Sequence, residues 1–296
     1  MPDTPRTRIR ATAIGTIAIL LWSLLALLTA ASGTVPPFQL AAMCFALGGA
    51  IGLAVQCIAG RGLSGWRQPW PVWALGTAGL FGYHFAYFTA LRHAPPVEAG
   101  LIAYLWPLLI VLFSALLPGE RLGWHHLLGG LAGFAGAGLI VTGGGGVGWR
   151  DEFAFGYAMA LVCALVWSGY SVLSRRFGTV STDIVSGHCL ATAVLALVAH
   201  LALETTVVPV SPVEWLAIAG LGVGPVGAAF YVWDHGVKHG DIQVLGALSY
   251  LAPLLSTLVL VAAGLATASV TLGVACALIV VGAVLASKDL LTGKAA

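Results

Sequence analysis

The chain has 296 residues, of which 59% are hydrophobic and only 8% are charged, and its mean hydropathy is +0.97. A soluble domain carries about 25% charged residues, so this composition excludes a water-exposed globular surface and makes lipid the main solvent. The net charge of +2, with no basic cluster, argues against a nucleic-acid partner. We therefore expect an all-α polytopic membrane protein.

Ten apolar segments follow one another along the chain, and a helix needs about 20 such residues to cross a bilayer. The predicted transmembrane helices cover residues 11–31, 37–59, 71–91, 96–117, 123–142, 154–174, 182–203, 212–235, 241–263 and 268–287. Every loop between them is short, so we expect no extramembrane domain.

The distribution of Lys and Arg predicts the orientation of these helices. With the amino terminus in the cytoplasm, 11 of the 13 basic residues, Lys294 among them, fall in cytoplasmic segments. Only Arg92 and Arg150 fall outside, which is a strong positive-inside bias. Both termini are predicted to be cytoplasmic.

An internal repeat divides the chain into halves. Residues 100–109 match residues 246–255 at an offset of 146, with six of ten positions identical. Trp22 matches Trp167 at an offset of 145. Because the unit holds five helices, an odd number, the second copy must be inverted, as in many transporters. We predict one repeat at 1–146 and an inverted one at 147–296.

Two inverted five-helix halves resemble the drug/metabolite transporter superfamily and its paired EamA-type domains. Gly119-Glu-Arg-Leu122 is similar to the family's short acidic-basic turn, whereas Gly264-Leu-Ala-Thr267 lacks both charges. Within the superfamily, the aromatic residues most resemble those of the YddG-type exporters. That resemblance implies alternating access around a midplane cavity and export of aromatic and some other neutral amino acids across a bacterial inner membrane.

Candidate cavity residues are polar or aromatic groups deep in a span, where exposure to lipid is costly. Trp22 and Trp167 occupy matched central positions, and helix packing is the alternative to a pathway role. Tyr83, His84 and Tyr87 occupy about one helical turn; for Tyr87, an interfacial aromatic belt is the alternative.

Two mid-span prolines mark candidate hinges. Pro107 and Pro253 lack the N–H that their helices need, which frees the carbonyls of Ala103 and Ser249. Such carbonyls can face a substrate ammonium group, although a kink satisfied by neighbouring helices is equally compatible.

Residues beside these prolines complete the predicted substrate-binding set. Tyr104 and Tyr250 lie three residues before each proline and are the preferred substrate-contacting pair. We include Trp106 and Ser249, although on an ideal helix Trp106 would not share the face of Tyr104 and Pro107.

We expect no metal, no cofactor and no enzymatic activity. The expected partners are a small-molecule substrate and the lipid bilayer, and the protein is expected to be a monomer. All five cysteines lie in apolar runs without a C-x-x-C pair, and Gly143–Gly146 lacks the Lys-Ser/Thr of a phosphate loop. No carboxylate lies well inside a span; Asp234, near a span end, is expected to be solvated or capping. Alternatives are proton-coupled efflux of drugs or other metabolites, with His84 as the switch, and a membrane-embedded enzyme.

Overall fold

The computed structural model describes residues 5–146 and 150–291, and these ranges contain helices and loops but no strand. Three predicted features lie outside the described residues: both chain ends, the cytoplasmic Lys294, and the first residues of the second repeat, 147–149. The all-helical character predicted from the composition is confirmed.

The helices follow one another with short connections. In chain order, the α-helices are α1 (Pro5–Trp22), α2 (Leu25–Ala31), α3 (Pro37–Ile58), α4 (Trp70–Thr77), α5 (Tyr83–His93), α6 (Pro96–Ala103), α7 (Trp106–Ser114), α8 (Trp124–Thr142), α9 (Ala154–Ser174), α10 (Ile184–Leu203), α11 (Pro212–Val223), α12 (Ala229–His239), α13 (Ile242–Leu248), α14 (Leu251–Ala262), α15 (Val270–Ala286) and α16 (Lys288–Leu291). Single 3₁₀ turns occupy Ser64–Trp66, Asp151–Phe153 and Arg175–Phe177, and π-helical turns occupy Ala78–Gly82 and Gly224–Ala228.

Within the described residues, eight helical segments are long and apolar enough to cross a membrane, which makes the chain a multi-pass membrane protein. They are Arg6–Ala31, Pro37–Ile58, Pro96–Ser114, Trp124–Thr142, Asp151–Phe177, Ile184–Leu203, Pro212–His239 and Ile242–Ala262. The other two predicted spans are also helical: α4 and α5 join through a π-helical turn, and α15 is an apolar helix of 17 residues.

Irregular turns interrupt the helices at matched positions of the two repeats. The π-helical turns Ala78–Gly82 and Gly224–Ala228 begin 146 residues apart. Two residues separate the end of α6 from Trp106, the first residue of α7, and two separate the end of α13 from Leu251, the first residue of α14. Both breaks precede a proline that cannot donate a backbone hydrogen bond. The same local sequence chemistry therefore produces the same interruption twice.

Glycines allow two long helices to pack closely. Helices α8 and α15 pack along their lengths, and Gly129 faces Gly282. A Cβ atom on either glycine would lie 2.6 Å from the carbonyl oxygen of the other, so both positions need glycine. Close backbone approach between small residues is a common basis of helix association in lipid.

Candidate functional site

A central cavity of about 720 Å³ lies among the helices of both halves. Its lining extends from Trp22, deep in the bundle, to Val35 and Pro37 in and beside the α2–α3 connection. The cavity therefore reaches this end of the bundle, which we call the open end. Its size is typical of small-molecule sites, and its lining is mostly apolar and aromatic.

Seven of the nine predicted substrate-binding residues line this cavity. They are Trp22, Tyr83, His84, Tyr87, Tyr104, Trp106 and Trp167. The structure brings these side chains together from four helices, α1, α5, α7 and α9, and from the connection between α6 and α7. Their contact with a substrate stays a prediction.

Three tryptophans form the innermost wall of the cavity. The ring of Trp22 lies 6.2 Å from Trp106 and 5.8 Å from Trp167, both in edge-to-face geometry. The indole N–H of Trp22 donates to the Pro225 carbonyl at 3.1 Å, inside the π-helical turn Gly224–Ala228. This bond fixes the Trp22 ring, because an indole has a single donor and no acceptor.

Two tyrosines continue the wall toward the open end. Tyr83 lies 5.3 Å from the Trp167 ring, and Tyr87 stacks on Tyr83 at 6.1 Å with an interplanar angle of 11°. Tyr87 therefore faces the interior of the bundle, as part of the cavity lining, instead of belonging to an interfacial belt.

His84 is held as a neutral acceptor toward the cavity. Its Nδ1 atom lies 2.7 Å from the Leu80 carbonyl oxygen. A carbonyl oxygen only accepts, so Nδ1 carries a proton, and in the neutral imidazole Nε2 is then the acceptor. The rings of Phe45 and Phe88 pack against the imidazole at 5.0 and 5.8 Å. His84 thus offers one hydrogen-bond acceptor in otherwise aromatic surroundings.

Ser249 and Tyr250 do not line the cavity, and we remove both from the candidate site. The Ser249 hydroxyl donates to the Leu245 carbonyl at 2.7 Å inside its own helix segment. Tyr250 is 0% exposed; its hydroxyl accepts from the Leu108 N–H at 3.1 Å and donates to the Tyr104 carbonyl at 3.3 Å. The break before Pro107 leaves these backbone groups without their usual helical partner, and Tyr250 satisfies them.

Ion pairs close the opposite end of the bundle, which we call the closed end. Glu120 lies 3.1 Å from Arg8 and 2.6 Å from Arg175, and Arg8 lies 3.0 Å from Asp241. Arg175 also donates to the Gly240 carbonyl at 2.6 Å. These contacts join residues of the first repeat to residues of the second. The acidic-basic turn at Gly119–Leu122 therefore supplies the carboxylate that bridges the two halves.

Sequence reasoning missed a buried ion pair and several aromatic residues. Asp234 lies 2.9 Å from Lys238 and is buried, whereas we expected it to be solvated or capping. The signal was present: opposite charges four residues apart share one face of an otherwise apolar helix. Phe45 and Phe88 of the lining carried no comparable signal, since phenylalanine occurs throughout such helices.

A multi-pass helical bundle that encloses a central cavity, open at one end and closed by ion pairs at the other, has the architecture of a membrane transporter. The sequence profile of the EamA-like transporter family matches residues 10–142 and 154–288. The chain belongs to this family.

Similar proteins extend over nearly the whole chain. The chain is 58% identical over 283 residues to the aromatic amino acid exporter YddG of Ancylobacter novellus, covering 95% of this chain and 98% of that exporter. It is 27% identical over 264 residues to the exporter of the same name from Escherichia coli, covering 85% of this chain and 87% of that protein. A crystal structure with 57% sequence identity superposes with a TM-score of 0.91 over 95% of this chain and 98% of the other.

Proposed function

We propose that this protein exports aromatic and other neutral amino acids across the bacterial inner membrane. One observation carries the proposal: seven predicted aromatic or histidine side chains line a single cavity of about 720 Å³. The names of its relatives in Ancylobacter novellus and Escherichia coli support the substrate class. The protein acts as a transporter and not as an enzyme.

The cavity suits an uncharged or zwitterionic aromatic solute. Its described lining contains no Asp, Glu, Lys or Arg side chain. A cationic drug would lose hydration there without gaining a counter-ion, which is costly in a low-dielectric site. An indole or phenyl ring of the substrate gains from the tryptophan and tyrosine faces. The Nε2 atom of His84 accepts a hydrogen bond from the substrate ammonium group.

The proposed topology has ten transmembrane helices in two inverted repeats, 1–146 and 147–296, with both termini in the cytoplasm. Separate matches of the family profile to residues 10–142 and 154–288 support two units. The π-helical turns and proline-associated breaks at matched positions support the same division. In this orientation the open end faces away from the cytoplasm, and the protein functions as a monomer.

Transport is driven by the substrate gradient, and the helix breaks before Pro107 and Pro253 act as hinges. The cavity lining offers no carboxylate for proton exchange, and His84 uses its proton to bind the Leu80 carbonyl. The breaks leave two backbone units free of regular helical bonding, so these helices can bend with little loss of hydrogen bonding.

Flux in proteoliposomes tests the proposal. Vesicles are preloaded with radiolabelled tryptophan, phenylalanine, threonine or a cationic dye, with and without a proton gradient; protein-free vesicles are the control. We expect saturable flux of tryptophan and phenylalanine without a gradient. Flux of the dye alone, or of amino acids only with the gradient, would replace this proposal with proton-coupled efflux.

A further inference from the structure

A second cavity, of only about 10 Å³, lies near the closed end, between α4, α9, α10 and α12. It is large enough for about one water molecule. Unlike the large cavity, it is bordered by charged residues, Asp234 and Lys238, and by His188. Buried ionisable side chains in a membrane bundle are a sign of function by default.

The repeat relates this small cavity to the large one. At an offset of 145, Tyr170 and Ser174 of the small cavity match Leu25 and Thr29. Both matched residues line the large cavity. Residues of the third and eighth predicted spans, 71–91 and 212–235, show the same relationship between the two cavities.

At an offset of 146, Leu75 matches Leu221 and Asp234 matches Phe88. Leu221 and Phe88 also line the large cavity. Four of the ten residues that line the small cavity therefore have repeat counterparts in the lining of the large one, and from these four we infer that the small cavity occupies the equivalent place in the inverted repeat. When inverted halves exchange conformations, the counterpart opens as the large cavity closes.

The chemistry of the two counterparts differs. Asp234 and Lys238 form an ion pair of 2.9 Å, with side chains only 4% and 3% exposed. Asp234 also accepts from the Thr182 hydroxyl at 2.8 Å, and Lys238 donates to the Val180 carbonyl at 3.1 Å. Burying both charges costs desolvation that an apolar pair would not. One negative and one positive group, one helical turn apart, complement the ammonium and carboxylate of an α-amino acid.

His188 adds an unused hydrogen-bonding group to this cavity. Neither of its buried ring nitrogens makes a hydrogen bond of ordinary geometry, although the ring lies beside the Val72 backbone. The imidazole packs against Gly76, where any larger side chain would occupy the same space. A neutral imidazole has one donor and one acceptor, so the ring nitrogen that does not face the Val72 backbone remains available to a ligand in the cavity.

We propose that this cavity becomes a second substrate subsite when the closed end opens. Asp234 then binds the ammonium group and Lys238 binds the carboxylate of a free α-amino acid, and His188 donates or accepts one further hydrogen bond. The inference rests on the proposed amino acid export and adds to it. The subsite selects solutes that carry both charged groups over those that carry one.

Competition among three indole compounds tests the subsite. Tryptophan has both charges, tryptamine lacks the carboxylate and indole-3-propionate lacks the ammonium group. Each competes with radiolabelled tryptophan for counterflow in proteoliposomes, where random insertion exposes both ends of the protein. In the unaltered protein we expect tryptophan to compete best.

Single variants should change this ranking in opposite directions. Asp234→Asn removes the partner of the ammonium group and should reduce the advantage of tryptophan over indole-3-propionate in competition by about tenfold. Lys238→Met removes the partner of the carboxylate and should reduce the advantage of tryptophan over tryptamine by about tenfold. Lys238→Arg should keep the original ranking, because it keeps the charge. Glu98→Gln is the matched control, since its carboxylate lies in a partly exposed pair with Arg150.

Loss of folding is separated from loss of selectivity by a neutral double variant. Asp234→Asn/Lys238→Met leaves no unpaired buried charge and should insert normally, with tryptophan favoured over neither analogue. An unchanged ranking in the double variant would overturn the subsite and leave the ion pair a purely structural contact. Absence of tryptophan counterflow in the unaltered protein would instead overturn the proposed export function.

Discussion

The hydroxyl of Tyr250 lies 3.3 Å from the carbonyl oxygen of Tyr104, its counterpart 146 residues earlier in the repeat. Tyr104 lines the central cavity, whereas Tyr250 is fully buried and binds the backbone of the break before Pro107. Two matched tyrosines therefore have different surroundings in one conformation. One lines the cavity, and the other ties the two halves together.

The Tyr250 hydroxyl should contribute to stability more than to transport. Tyr250→Phe leaves the Leu108 N–H and the Tyr104 carbonyl unsatisfied, and we expect a loss of about 1–3 kcal/mol in the free energy of unfolding. A lower Tm in detergent, with a nearly unchanged KM for tryptophan, is the expected result. A large rise in KM at normal Tm would return Tyr250 to the substrate site. Tyr104→Phe is the matched control for the Tm, because it removes a tyrosine hydroxyl at the equivalent position of the other repeat.

Removing an aromatic wall of the cavity should weaken transport. Tyr83→Ala and Trp167→Ala remove ring contacts that a bound aromatic side chain would make, and we expect KM for tryptophan to rise about tenfold. Initial rates of counterflow over a concentration series measure this effect. Trp215→Ala is the control, because Trp215 is an exposed tryptophan outside the cavity lining. Equal effects at all three positions would contradict the site.

His84 should act through hydrogen bonds alone. Gln at this position can donate to the Leu80 carbonyl and still present an acceptor, so His84→Gln should keep much of the activity. His84→Leu should lose most of it, since an apolar side chain provides neither group. Counterflow with and without a proton gradient separates the two roles. Complete loss in His84→Gln, with normal insertion, would favour proton coupling.

Breaking the bridge at the closed end should shift the conformational equilibrium. Glu120→Gln removes the ion pairs to both Arg8 and Arg175, and we expect the closed end to open about tenfold more often. Single cysteines in a cysteine-free background report this shift through a membrane-impermeant maleimide. Labelling should rise at Ser174→Cys and fall at Thr29→Cys. Unchanged labelling at both positions would show that the bridge does not hold the closed end.

The orientation of the chain is tested separately. Reporter fusions at the amino and carboxyl termini should both report a cytoplasmic location, because most Lys and Arg residues lie on that side of the ten predicted spans. A fusion in the short connection at Gly119–Leu122 should report the cytoplasm, and one at Arg92–His93 should report the opposite side. A carboxyl terminus outside the cytoplasm would refute the ten-helix proposal.

Much of the architecture follows from the sequence by itself. Apolar segments predict the transmembrane helices, because lipid cannot form hydrogen bonds with backbone N–H and C=O groups, which must then pair within a helix. The offset of 146 identified matched positions, and mid-span prolines such as Pro107 located helix breaks, since these are local properties of the chain. Trp22 and Trp167 could be singled out because a central tryptophan is unusual in a span.

Only the tertiary structure decided that Tyr104 lines the cavity and that its repeat counterpart Tyr250 does not. Tyr104 and Tyr250 have nearly the same neighbours in sequence, yet one end of the bundle is open and the other is closed. Asp234 likewise gained a buried partner that composition did not predict. Near-symmetric halves packed in an asymmetric conformation give equivalent residues different contacts, and those contacts depend on helices far away in sequence.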